Sequence, residues 1–114
     1  MSDDQRPPGK TTVSPGVLMA IARMAALGVP GVKEVGTVTR GLFRRREAEG
    51  VRMIIQDGLL SGDIYVVLKG GFNIREVGRE VQNQVSRAIQ EMVGTTVARL
   101  DIHVENIDYE VAEA

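Results

Sequence analysis

The chain has no cysteine and no tryptophan, a single histidine, and four aromatic residues among 114: Phe43, Tyr65, Phe72 and Tyr109. Without cysteine there is no disulfide framework, no thiolate nucleophile, and no thiolate-bound zinc or iron–sulfur cluster. With His103 as the sole imidazole, a multi-histidine metal site cannot form within one chain, and a Ser-His-Asp triad would have to use that one ring. Apolar stretches such as Leu59–Leu60 and Tyr65–Leu68 are far too short for a bilayer, which takes roughly 20 residues of helix. The first ten residues lack the apolar run of a signal peptide and, with Pro7-Pro8-Gly9, read as a disordered tail. An excess of either charge is missing too. The 14 basic and 15 acidic side chains leave a net charge of -1, which argues against bulk nucleic-acid binding but leaves room for a local basic patch.

What is present is ordinary for one soluble domain: 43% hydrophobic and 25% charged residues. Thr11-Thr12-Val13 favours a short strand. Ser14-Pro15 then starts a helix, with Ser as cap and Pro at the first helical position. Val17, Ile21, Met24 and Ala25 recur at helical spacing, with Leu18 and Ala22 widening the stripe. Gly28 is expected as a left-handed cap after Leu27, and Pro30-Gly31 as a turn. Val32–Val38 and Val51–Gln56 read as strands, the second followed by the tight-turn pair Asp57-Gly58. Ser61-Gly62-Asp63 reads as a further turn-like cluster, leaving a bulge or a longer loop open. Ile64–Lys69 is apolar on both faces, as in a central strand. Asn73 caps a long helix, with Glu76 reaching back and an apolar stripe of Ile74, Val77, Val81, Val85, Ala88, Ile89 and Met92. Val97–Ile107 alternates as a last strand with one wet face.

The order β-α-β-β-β-α-β predicts an α+β fold: a two-layer sandwich of a mixed β-sheet with two amphipathic helices on one face. It occupies residues 11–108, between the tail at 1–10 and an acidic tail at 109–114.

Three stretches resemble the bacterial alkaline-shock protein family (the Gls-twenty-four type). The first is Thr12-Val-Ser-Pro-Gly-Val-Leu-Met-Ala-Ile-Ala with Gly28-Val-Pro-Gly-Val. The second is Asp63-Ile-Tyr-Val-Val-Leu-Lys-Gly-Gly-Phe-Asn-Ile-Arg-Glu-Val. The third runs from Val81-Gln-Asn-Gln-Val through Met92-Val-Gly-Thr to Leu100-Asp-Ile-His-Val-Glu-Asn-Ile. The resemblance spans residues 11 to 108. It implies a small, non-catalytic cytoplasmic protein linked to envelope stress. Some members associate with the membrane through an anchored partner, and others look tied to fatty-acid or lipid metabolism. It carries over no catalytic residue. Arg44-Arg45-Arg46 departs from the pattern.

Candidate sites are few. Residues 40–52 hold five arginines against two glutamates, a net +3, with Leu42 and Phe43 among them. Such a mix suits anionic lipid, RNA or an acidic protein surface, or is simply a solvated loop. Arg44, Arg45 and Arg46 are therefore the first contact residues, and the outward face at Arg99, Asp101 and His103 the second. Asp101, His103 and Glu105 share a strand side, but along a flat strand they span about 13 Å, too far for one ion. Gly28-Val-Pro-Gly31 matches a nucleic-acid-binding Gly-x-x-Gly loop only superficially, since Pro30 removes a donor and a strand follows. Asp57 and Asp63 are explained by turn chemistry, and Gly70-Gly71 by a strand-to-helix turn.

No catalytic set, cofactor or metal site is expected. The expected function is that of a non-enzymatic interaction or scaffold protein at the cytoplasmic side of the envelope. It would bind a protein partner, which a membrane anchor would place there, with homo-oligomerisation compatible. Membrane contact is then peripheral or indirect, and DNA is not a partner. Two alternatives are a small RNA-binding domain, weakened by Tyr65 having no second ring on its strand, and a regulatory partner of a lipid-metabolic enzyme.

Overall fold

A computed structural model of the chain describes residues 9, 11–36 and 50–109. Helix α1 spans Pro15–Leu27. Strands β1 (Val32–Val35), β2 (Val51–Gln56) and β3 (Leu59–Lys69) follow. The 20-residue helix α2 (Ile74–Val93) then leads to β4 (Thr96–Asp108). The architecture is the expected α+β sandwich with a mixed sheet: β1 and β2 are antiparallel to β3, and β4 is parallel to it. A parallel neighbour needs a long crossover, which α2 supplies.

The expected strand at Thr11–Val13 is absent; these residues carry no regular structure. Both edges of β3 are already paired along its length, so three residues have no rung of the central strand left to join. Ser61-Gly62-Asp63 lies within β3 and is not a turn. The reversal falls earlier, at Asp57-Gly58, where φ is 54° and 78°: two left-handed residues, as a two-residue hairpin turn requires. The bulge left open at the cluster exists, but on β4, where Ala98 is the extra residue opposite Leu60 and Ser61.

The hydrophobic period of α2 decides the core. Val77, Val81, Val85 and Ile89 recur every fourth residue and are buried against the sheet. From the sheet, Leu60, Ile64, Val66 and Leu68 meet them, each at most 1% exposed. Each such side chain contributes about 1.5–3 kcal/mol through burial. Ile74 and Met92, expected in the stripe, lie in the first and last turns of the helix and are exposed.

Helix α1 corrects the sequence reading more deeply. Its buried residues are Leu18, Ile21, Ala22 and Ala26, while Val17 and Met24 face outward. A helix with one charged residue in thirteen offers no polar face by which to orient it. That one charge, Arg23, donates from its guanidinium to the Val35 carbonyl at 3.1 Å and so marks the sheet side. The caps differ likewise. Ser14 makes no side-chain cap bond, and Gly28 is right-handed at φ −78°. Asn73 does cap α2, accepting from the Glu76 amide at 3.0 Å.

One backbone feature positions everything on the sheet. Val35 pairs with Val66 and Val51 with Ile64, so Tyr65 faces a single ladder position. Two glycines share it. Gly36 donates its N–H to the Tyr65 carbonyl at 2.7 Å, and Gly50 accepts from the Tyr65 N–H at 2.9 Å. Strands β1 and β2 are thus two halves of one strand lying along one edge of β3. The chain leaves this strand after Gly36 and rejoins it at Gly50.

Candidate functional site on the open sheet face

Alternation along β3 sends Ser61, Asp63 and Tyr65 away from the helices. The parallel register sets Asp63 beside Asp101, and Tyr65 beside His103. His103 leans diagonally, placing Nε2 2.9 Å from an Asp63 carboxylate oxygen. A carboxylate only accepts, so the imidazole donates from Nε2. The Tyr65 and His103 rings stack, with centroids 4.6 Å apart and planes 17° from parallel. Arg99 stands 3.5 Å from an Asp101 oxygen, and Arg52 lies opposite Asp63 on β2.

The donor atoms of Asp63, Asp101 and His103 all lie within 4.8 Å of one another, the set among the described residues that could hold a metal ion. Two carboxylates at that separation repel by about 1 kcal/mol even at the screening of bulk water. The His103–Asp63 pair has side chains 40% and 23% exposed, so it stabilises the fold by only about 0–1 kcal/mol.

Of the sequence candidates, Arg99, Asp101 and His103 come together here. Arg44, Arg45 and Arg46 lie outside the described residues. The segment that carries them leaves and rejoins the sheet at the Tyr65 rung, two strand spacings, or about 10 Å, from the His103 strand. Glu105, grouped with Asp101 and His103 from its spacing, drops out: a register shift at this point of β4 makes it the unpaired residue between Val104 and Asn106. Asp63, assigned to a turn, replaces it. The missed signal was the matched pair of alternations Asp63-x-Tyr65 and Asp101-x-His103, which only a parallel register brings side by side. The ring absent from the strand of Tyr65 is likewise supplied from the next strand, by His103.

Two further surfaces stand out. Between α2 and β4 runs a groove of about 560 Å³, with Ile102 and Val104 at its floor and Arg75, Arg79 and Gln82 along the helix. On α1, Val17, Met24 and Leu27 face outward at 48%, 71% and 43% exposure, and Ala20 lies between them. No described helix is long and apolar enough to cross a membrane.

Comparisons with known proteins agree with this picture. Solved structures of the MamM C-terminal domain share the fold. One superposes with a TM-score of 0.57 at 15% identity, covering 84% of this chain and 95% of that one. Another gives 0.56 at 15%, covering 83% and 98%. The Bacillus subtilis (strain 168) protein YqhY, uncharacterized, is 28% identical over 107 residues, covering 90% of this chain and 79% of that protein. Spy1535 of Streptococcus pyogenes serotype M6, also uncharacterized, is 29% identical over 102 residues, covering 87% and 79%. A family model described by a cell envelope-related function matches residues 3–109, nearly the whole chain. The chain belongs to the alkaline-shock protein family, whose function is related to the cell envelope.

Proposed function

We propose that this protein is a non-enzymatic interaction module of the bacterial envelope, acting at the cytoplasmic face of the membrane through a protein partner. The observation that carries this reading is the outer stripe of α1. Val17, Ala20, Met24 and Leu27 fall at helical spacing on one side, without a charge among them. A small domain gains nothing from an apolar helix face held in water, whereas a partner helix or sheet laid across it removes that face from water. The open sheet face, with Arg99, Asp101 and His103, is a second contact surface of polar character.

The sheet face speaks against single-stranded RNA as the partner. Tyr65 is stacked, but on His103, and Asp63 and Asp101 beside it repel a phosphate backbone. A lipid-metabolic enzyme as partner would use the same apolar stripe, and the identity of the captured protein distinguishes that case.

A photo-crosslinking residue placed at Met24 in the native cell tests the proposal. A discrete crosslinked protein is expected from position 24 and none from Arg87, a polar position on the exposed side of α2. Met24→Glu should abolish co-purification of that same protein while leaving the fold intact. Equal crosslinking at both positions, or co-purification unaffected by the substitution, refutes it.

A further inference from the structure

We infer that Asp63, Asp101 and His103 form a binding site for a divalent transition ion of the zinc class. The site needs nothing from the α1 surface and stands independently of the proposed function.

The donor set comes first. One imidazole nitrogen and two carboxylate oxygens, all within 4.8 Å of one another, come from two adjacent strands. Donors on a zinc ion lie about 2.0–2.2 Å from it and so about 3–4 Å apart. The 2.9 Å between His103 Nε2 and Asp63 Oδ1 is a hydrogen-bond distance, a few tenths of an ångström short of that spacing, so the pair need open only slightly to admit an ion. Half-exposed side chains on a rigid sheet reach the rest by small rotations. The open face leaves the remaining coordination position to water.

Charge and orientation agree. Two carboxylates held this close repel one another and are complementary to a dication. Imidazole with carboxylate suits zinc and its neighbours better than magnesium or calcium, which take oxygen alone. The stack on Tyr65 fixes the imidazole plane, and the ion would take the place of the proton on Nε2, releasing it to solvent. The cations that face the site are Arg52 and Arg99, both exposed. Arg99 stands 3.5 Å from Asp101 in a solvent-exposed pair, which holds the carboxylate only weakly.

Zinc chloride is titrated into the untagged full chain, with calorimetry and the NMR resonances of the imidazole as readouts. The chain has one histidine and no cysteine, so an imidazole perturbation can come only from His103. Saturable binding of one ion per chain is expected at micromolar zinc, with the His103 resonances shifting over the same range. Asp63→Asn, Asp101→Asn and His103→Ala should each weaken binding at least ~10-fold, whereas Glu105→Gln should change it less than ~2-fold. Zinc should also raise the melting temperature of the wild type and not that of the His103→Ala variant. Asp101→Asn, at a partly exposed strand position, keeps the test valid if another variant misfolds. Absence of saturable binding below ~1 mM zinc, or undiminished binding by His103→Ala, overturns the site.

Discussion

Excision of residues 37–50, joining Gly36 directly to Val51, should leave the fold intact and make it more stable. The reason lies in the rung opposite Tyr65. Gly36 supplies its N–H to that rung and Gly50 its carbonyl, at 2.7 and 2.9 Å. In the shortened chain Gly36 alone supplies both, so no ladder bond is lost and β1 runs straight into β2. Valines 35 and 51 keep their inward places opposite Val66 and Ile64. The gain is the entropy of closing a 14-residue excursion, (3/2)RT ln n, or about 2 kcal/mol before any contacts of the segment are subtracted. A net stabilisation of about 1 kcal/mol would raise the melting temperature by about 4–8 °C in a domain of this size. By contrast, one added methyl at Gly50 should be harmful. Its φ is +88°, and a Cβ there would lie 2.6 Å from the Gly36 nitrogen and 2.8 Å from the Val35 carbonyl carbon, both backbone. Left-handed strain of about 1–2 kcal/mol and overpacking of about 1–3 kcal/mol together put Gly50→Ala at about 2–5 kcal/mol. Urea denaturation followed by circular dichroism measures both variants. Removing fourteen residues should thus be better tolerated than adding one methyl group. An unfolded deletion variant, or a Gly50→Ala variant as stable as wild type, would refute the single-rung reasoning.

Other substitutions test neighbouring claims. Asn73→Ala should cost about 1 kcal/mol, and Ser14→Ala markedly less, because only Asn73 makes a side-chain cap bond; equal losses in urea melts would contradict this. Ile89→Ala, at a fully buried position, should cost about 2–5 kcal/mol, whereas Met92→Ala, 69% exposed, should stay within about 0.5 kcal/mol. Similar midpoints for the two would mean that α2 does not pack as described. Arg44→Glu with Arg45→Glu should weaken retention on anionic liposomes at low salt if the +3 segment contacts such a surface; unchanged retention at every ionic strength removes that role.

The elements were legible where local physics and tertiary context agree. Asn73 before an apolar period of four residues specified α2, and Asp57-Gly58 specified the hairpin turn. Legibility failed where the local pattern carries no direction. In α1 nearly every residue is apolar, so periodicity could not separate the core face at Leu18 and Ile21 from the outward face at Val17 and Met24. Ser61-Gly62-Asp63 has turn composition, but Gly62 serves a close approach instead: a Cβ there would sit 2.7 Å from the Arg52 carbonyl oxygen of the paired strand.

The open face was half legible for a different reason. Alternation along β4 placed Asp101 and His103 on one wet side, and the structure keeps them there. Yet the partner that gives them chemistry is 40 residues away in sequence, on β3. Only the parallel pairing imposed by the α2 crossover turns two unremarkable alternations into one cluster. A shift of that register by one residue would send Asp63 and His103 to opposite sides of the sheet relative to their neighbours and unpack Ile64 and Val66 as well. The same core contacts that stabilise the domain therefore fix the spacing of the three donors. Substitutions that loosen β4 from β3 should weaken the cluster in proportion to the pairing they remove, even when they leave all three side chains in place.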